Sequence, residues 1–253
     1  MVTKGKEIMM DLKERLKLIA DMAPKCDVVC DIGTDHAYIP IYLVMNNKCK
    51  RAVASDVRKG PVTVANKNIE KYGLKKHIET RVGNGLETVR YGEEDTIIIA
   101  GMGGLLISEI LEKGFDIAKK ANSLIIQPMN SIELVRKWLY ENGFDIYDER
   151  LSKEERRIYN VLAAKWTGSV QKKEEIYYYI GEKLFEKKDG LLEIYIQNKL
   201  RQLNRIISEM EKMNDKNSDL RLKNEDIIKG LSRLLRDYQE ERNLRRSFYE
   251  QNK

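Results

Sequence analysis

Val28-Val29-Cys30-Asp31-Ile32-Gly33-Thr34-Asp35-His36-Ala37-Tyr38-Ile39-Pro40 decides how this chain folds. A β-branched run ends in an acid and a glycine, and a new amphipathic segment begins at once. A buried strand hands over to a helix in this way around a small-molecule site. The tight turn needs a residue without Cβ so that a ligand can approach the backbone. A second strand–glycine junction follows at Thr96-Ile97-Ile98-Ile99-Ala100-Gly101-Met102-Gly103-Gly104. Two such junctions predict one cleft at the carboxyl ends of a parallel sheet.

Around these junctions, β-rich runs fall near 27–32, 51–55, 77–82, 96–100, 123–127, 144–150 and 158–166. Helical patterns lie between them, near 38–47, 60–72, 104–120 and 131–142. Alternation of this kind predicts an α/β fold, a parallel sheet with helices on both faces. The last two runs are separated only by Ser152–Arg157, with no helix between them, and should form an antiparallel hairpin at one edge. Leu12, Leu16 and Ile19, at helical spacing, predict a leading helix packed on the sheet.

From about Gln171 the texture changes: proline is absent, and Lys, Glu, Arg, Leu and Ile dominate. Ile196, Leu200, Leu203, Ile207 and Met210 repeat in steps of four and three. Ile227, Leu231, Leu234 and Tyr238 do the same, with Phe248 in register further on. Asn214-Asp215-Lys216-Asn217-Ser218-Asp219 separates the two runs with turn residues. The pattern predicts two long helices in an antiparallel coiled-coil hairpin. Periodicity alone fits a packing or dimerisation arm as well as a substrate-gripping arm. The expected division is a first domain at 1–166 and a helical domain at 167–253.

Composition narrows the classes of function. No apolar run in the 253 residues approaches the roughly 20 needed to span a bilayer. Met1 to Lys6 lacks the apolar core of a signal peptide. A soluble cytoplasmic protein without a membrane partner is expected, a monomer or weak oligomer. Cys26, Cys30 and Cys49 have neither the spacing nor a His cluster that would suit zinc, so core packing is their expected role and no metal site is expected. The net charge of +6 is spread evenly, with 27 basic and 24 acidic side chains in 1–166 against 19 and 16 in 167–253. It permits a polyanionic partner without demonstrating one.

Asp31-Ile32-Gly33-Thr34-Asp35 resembles the first motif of class I S-adenosylmethionine-dependent methyltransferases. In that family an acid and small residues meet the methionine end of the cofactor. The cofactor carries an ammonium, a carboxylate and a sulfonium, so the loop needs a carboxylate and backbone donors. Asp31 would take the ammonium and loop amides the carboxylate; otherwise Asp31 merely caps the next helix. Asp56, at the end of the second strand, suits the two ribose hydroxyls. An NAD-type site would share that acid but would show G-x-G-x-x-G at the first turn. Here Asp35 stands in that turn and would repel a pyrophosphate. After the third strand, Gly83-Asn84-Gly85 holds Asn84 where the family commonly has Asp; its amide oxygen can still accept from the adenine amine. Asn84 also suits a bare turn.

The whole chain resembles the TrmK family of bacterial tRNA (adenine-N1)-methyltransferases, which modify position 22. The marks are Asp31 to Tyr38, Gly83-Asn84-Gly85-Leu86-Glu87, Ile99 to Gly104, Gln127-Pro128 with Trp138-Leu139, and Tyr159-Asn160-Val161-Leu162. The resemblance implies a class I methyltransferase (Rossmann-like) sheet with an appended α-helical hairpin, S-adenosyl-L-methionine as cofactor and tRNA as partner. It implies a cofactor set of Asp31, Gly33, Asp35, His36, Asp56, Val57, Gly83, Asn84, Gly85 and Ala100. Gly101, Met102, Gly103 and Tyr159 would stand at the reacting centre. Gly101 to Gly104 would let the target base approach the methyl group, or form only a turn or an anion-binding helix start. Tyr159 suits stacking on an extruded adenine and suits a core position equally. Lys199, Arg201, Arg205, Arg233, Arg236, Arg242, Arg245 and Arg246 are candidate phosphate contacts, interspersed with acids. Competing readings are a methyltransferase for another RNA position and a catalytically silent cofactor-binding module.

Overall fold

The computed structural model describes residues 10–212 and 218–251. In chain order the first elements are α1 (Glu14–Met22), β1 (Cys26–Ile32), α2 (Tyr38–Met45), β2 (Cys49–Asp56), α3 (Lys59–Lys71) and β3 (Ile78–Val82). A 3-10 turn at Gly85–Thr88 leads to β4 (Thr96–Met102), α4 (Gly104–Lys113), α5 (Phe115–Ala118), β5 (Ser123–Pro128), α6 (Ile132–Glu141), β6 (Phe144–Glu154) and β7 (Arg157–Trp166). Then come α7 (Glu175–Tyr179), α8 (Glu182–Glu186), α9 (Leu192–Lys212) and α10 (Asp219–Gln251).

The strands form one sheet in the order β3-β2-β1-β4-β5-β7-β6. β1 pairs in parallel with both β2 and β4, so the strand order reverses there. That switch point leaves a crevice at the carboxyl ends of the strands. Strands covered on both faces read as unbroken apolar runs, and Ile97, Ile98, Ile99, Leu124, Ile125 and Ile126 are fully buried. Side chains alternate between faces. Val29, Ala52, Ala54, Ile98, Ile125, Val161 and Ala163 share one core with Ile19, Ile41 and Ile69, from α1, α2 and α3. On the other face, Phe144 meets Phe115 and Trp138 edge-on or tilted, at centroid distances of 6.1 and 5.5 Å.

β7 runs antiparallel to both β5 and β6, the expected edge hairpin. The two strands extend further than expected, so that Ser152 pairs with Tyr159 and only Glu155 and Arg156 make the turn. The helix expected over 104–120 breaks at Gly114, where a Cβ would meet Leu86 from the 3-10 turn. Leu12 is buried although it precedes α1.

Contacts divide the chain after Lys172. Thr167 and Gly168 stay with the first unit by donating their N–H groups to the Gly143 carbonyl at 2.8 and 3.0 Å. In the second unit α7 and α8 precede the two long helices. Tyr178 of α7, Leu184 of α8 and Ile180 between them are buried, as are Leu192, Ile196, Leu203, Ile227 and Leu231 of the long helices. Gly230 lets α10 lie against Ile176, whose Cγ2 stands 2.6 Å from where a Cβ would be. α9 and α10 are antiparallel: Arg221 bonds Glu211 at 2.8 Å, while Gln239 bonds Glu193, near the other end of α9, at 2.8 Å. Of the expected turn, 214–217 lie outside the described residues, as do 1–6 and the side chains of Arg245, Arg246 and Phe248. Among the described residues no helix is long and apolar enough to cross a membrane.

Candidate functional site

Gly33 follows β1 with φ of +81°, a left-handed backbone that only glycine adopts without strain. The N–H groups of Gly33 and Thr34 both donate to the Ser55 carbonyl at 2.8 Å, clamping the loop to β2. The Thr34 hydroxyl oxygen accepts from the Ala37 N–H at 3.1 Å, and the same side chain hydrogen-bonds the Asp31 carboxylate. Asp31 is only 7% exposed. Burial pushes its pKa up to about 6, with the Thr34 bond pulling the other way. A carboxylate stripped of water and facing a cleft favours a cationic ligand. The amino end of α2 carries no side-chain cap, so Asp31 does not serve as one.

The cleft beside it has a volume of about 340 Å³ and is lined by Asp31, Gly33, His36, Ala100, Gly101 and Arg15. Asp35 also lines it and lies 3.2 Å from His36 Nε2. The His36 ring stacks on Tyr38 at 5.0 Å.

The other candidates for cofactor contacts lie along the same edge. Asp56 ends β2, accepts from the Arg58 N–H at 2.8 Å and has Arg58 Nε at 3.5 Å. The Asp56 carbonyl accepts from the Gly83 N–H at 3.1 Å, tying the ends of β2 and β3 together. Val57 beside it is exposed. Asn84 and Gly85 line a separate small hollow of about 90 Å³, between the 3-10 turn and α4.

The second glycine junction is built by close packing. Gly101 has φ of +82° and open space where a side chain would be. Gly104 donates its N–H to the Asn130 carbonyl at 3.1 Å, and a Cβ there would collide with the Ser131 and Asn130 carbonyls. Met129 N–H donates to the Met102 carbonyl at 2.8 Å. The Met102 methyl lies over Gly33, in the place a side chain on Gly33 would take. The two junctions thus meet where Met102 covers Gly33, a contact that a side chain on Gly33 would prevent.

Two polar residues complete this face. Gln127, fully buried on β5, accepts from Arg15 Nη1 at 2.7 Å and donates to the Pro128 carbonyl at 2.8 Å. The Arg15 guanidinium lies over the Tyr159 ring, 5.4 Å from its centroid. By strand alternation Asp31, Gln127 and Tyr159 project to the face that carries α1. Sequence reasoning missed Arg15, which looks like any solvated cation on an amphipathic helix. An amide inside the apolar run of β5 was the available signal for Gln127.

A larger cavity, about 690 Å³, opens at the amino ends of the strands, lined by Cys26, Cys49, His77, Lys25, Asp27 and Lys50. All three cysteines are free thiols, and burial pushes Cys30 and Cys49 up to about 12. Among the described residues no group of side chains is arranged to hold a metal.

A family model described as a methyltransferase domain matches residues 12–162. The chain belongs to that family. It is 43% identical over 154 residues to the tRNA (adenine(22)-N(1))-methyltransferase of Bacillus subtilis, a match over 61% of this chain. That match spans 65% of the Bacillus protein, a little under two thirds. The methyltransferase fold extends to solved structures along nearly the whole chain. The crystal structure of the B. subtilis m1A22 tRNA methyltransferase TrmK superposes with a TM-score of 0.74 at 33% identity, over 92% of this chain and 99% of that one. TrmK of M. capricolum, in complex with the cofactor product S-adenosylhomocysteine, gives 0.77 at 32% identity, over 91% and 99%.

Proposed function

We propose that the protein transfers a methyl group from S-adenosylmethionine to N1 of adenine 22 in tRNA. The observation that carries this reading is the buried Asp31 carboxylate beside the Gly33 turn, with the open Gly101 backbone in the same cleft. The likeness to the TrmK proteins of B. subtilis and M. capricolum supports the same reaction and the same cofactor.

When bound, S-adenosylmethionine supplies an electrophilic methyl group on a sulfonium. Asp31, with the Thr34 hydroxyl bonded to it, holds the cofactor's ammonium. Asp56 would accept hydrogen bonds from the ribose hydroxyls, and Val57, Gly83, Asn84, Gly85 and Ala100 would border the nucleoside. Asp35 and His36 line the methionine end. Adenine N1 presents an in-plane lone pair and is unprotonated near neutral pH, so the site needs no strong base. Gly101, Met102 and Gly103 would leave room for the target base; Arg15 covers one face of the Tyr159 ring, so only the other could stack on it. Catalysis then rests on positioning and on tolerating the cationic product.

N1 of a paired adenine is hidden, so the base must be extruded at a cost of a few kcal/mol. A wide grip on tRNA meets that cost. Residues 167–253 supply it, with exposed Arg201, Arg205, Arg233 and Arg236 on the long helices among the phosphate contacts. On this reading the protein works in the cytoplasm, as a monomer or weak oligomer.

The test offers methyl-labelled S-adenosylmethionine with unmodified tRNA transcripts bearing adenine or guanine at position 22. Label in the adenine transcript alone is expected; equal label in both would defeat the assignment of position.

A further inference from the structure

An adenine whose N1 faces a methyl donor has committed the centre of its Watson–Crick edge. What remains to identify and orient it is the edge carrying N7 and the outer hydrogen of the exocyclic amine, an acceptor beside a donor. A primary amide answers both at once, its oxygen accepting from N6 and its nitrogen donating to N7. One such amide stands beside the second glycine junction, whose Gly101 opens on the cleft. The β5–α6 loop is fastened to that junction on both sides of the amide. Met129 N–H donates to the Met102 carbonyl at 2.8 Å, and the Asn130 carbonyl accepts from Gly104 N–H at 3.1 Å. The Asn130 side chain lies against Gly103, its Oδ1 only 3.2 Å from where a Cβ would be.

The fold spends no hydrogen bond on that amide. Asn130 is exposed, and among the described residues its side chain has no hydrogen-bond partner. Ser131 precedes α6 and carries the left-handed backbone of the turn, while Gly103 precedes α4, so Asn130 is the cap of neither helix. An asparagine on an ordinary surface turn swings freely. Here the backbone is held on both sides and Gly103 seats the amide, which lowers the cost of ordering it on a ligand. Met129 and Leu105, at the same edge, leave large apolar side chains exposed, and these suit the face of a base better than water.

We infer, resting on the reading that adenine N1 is the target, that Asn130 reads the target base: Oδ1 accepts from the exocyclic amine and Nδ2 donates to N7. Specificity and positioning then come from the loop after β5 and not from the glycine loop alone. The two bonds fix the rotation of the base in its own plane and turn the N1 lone pair toward the methyl group. They also oppose guanine, whose O6 would meet Oδ1 with no proton between them.

Single-turnover methylation by the full chain tests this, with saturating S-adenosylmethionine and tRNA carrying adenosine or 7-deazaadenosine at the target position. The analogue keeps N1 and the amine and replaces N7 by C–H. Asn130→Ala should slow transfer to adenosine about 25- to 100-fold and to 7-deazaadenosine about 5- to 10-fold, one bond lost instead of two. Asn130→Asp keeps the acceptor without the donor. It should fall between the other two proteins on adenosine and match the wild type on 7-deazaadenosine. Binding of S-adenosylhomocysteine, by calorimetry, should be the same in all three. An Asn130→Ala protein as fast as the wild type on adenosine overturns the assignment. So does an equal loss on both bases, or a loss of S-adenosylhomocysteine binding, which would make the residue structural. A wild type that methylates neither base would overturn the N1 reading itself, which separates the two failures.

Discussion

Replacing Asp31 with Asn should make the ligand-free protein more stable at pH 8 while weakening cofactor binding. Burial raises the Asp31 carboxyl from 3.8 to about 6. At about 1.4 kcal/mol per unit, that shift corresponds to at most about 3 kcal/mol of stability. The sign follows from proton counts. Between pH 4 and pH 6 the folded state keeps the Asp31 proton that the unfolded chain has lost, so this contribution is present at low pH. It is lost as pH rises through about 6, and above that the folded chain carries a desolvated carboxylate. A bound ammonium offsets the cost, which is why the strain belongs at a binding site. Asn keeps the shape without the charge. Urea unfolding of the ligand-free proteins at pH 5 and pH 8 should show the advantage of the variant growing with pH. Binding of S-adenosylhomocysteine to the wild type should tighten as pH rises through 6 and stay flat in the variant. A variant less stable than the wild type at pH 8, with unchanged binding, would refute the reasoning and return Asp31 to a structural role.

Other perturbations address the rest of the account. Gly33→Ala should cost about 1–2 kcal/mol for its left-handed backbone alone, and should displace Met102 and impair cofactor binding; calorimetry with S-adenosylhomocysteine checks it. Arg136 and Glu149 form a wholly buried ion pair, with Nη2 to Oε1 at 2.8 Å, on the face of the sheet away from α1. Glu149→Leu should therefore destabilise by about 3–5 kcal/mol in urea unfolding and leave cofactor affinity unchanged. Reversing the exposed charges in Arg233→Glu with Arg236→Glu should weaken tRNA binding and flatten its dependence on salt by up to two phosphate contacts. Cofactor binding should not move, and unchanged tRNA affinity would remove these residues from the interface.

Much of the fold was legible because the strands are buried on both faces. Ile97 to Ile99 and Leu124 to Ile126 could hardly be anything but central strands. The hairpin followed from a gap too short for a crossover helix. The break at Gly114 was not legible, because its cause is Leu86, which lies far off in sequence. α7 and α8 span about a turn each, too short for a helical period to register. At the site, Asp31 and Gly33 stood out as an acid and a glycine ending an apolar run. Arg15 did not, since its meaning depends on Gln127 and Tyr159, which the sheet brings to it from 112 residues away in the first case.

The account is tested most directly by incubating the full chain with methyl-labelled S-adenosylmethionine and unmodified tRNA, then resolving the labelled nucleosides. It predicts N1-methyladenosine as the labelled product. Label on another nucleoside, or none despite bound cofactor, would contradict it.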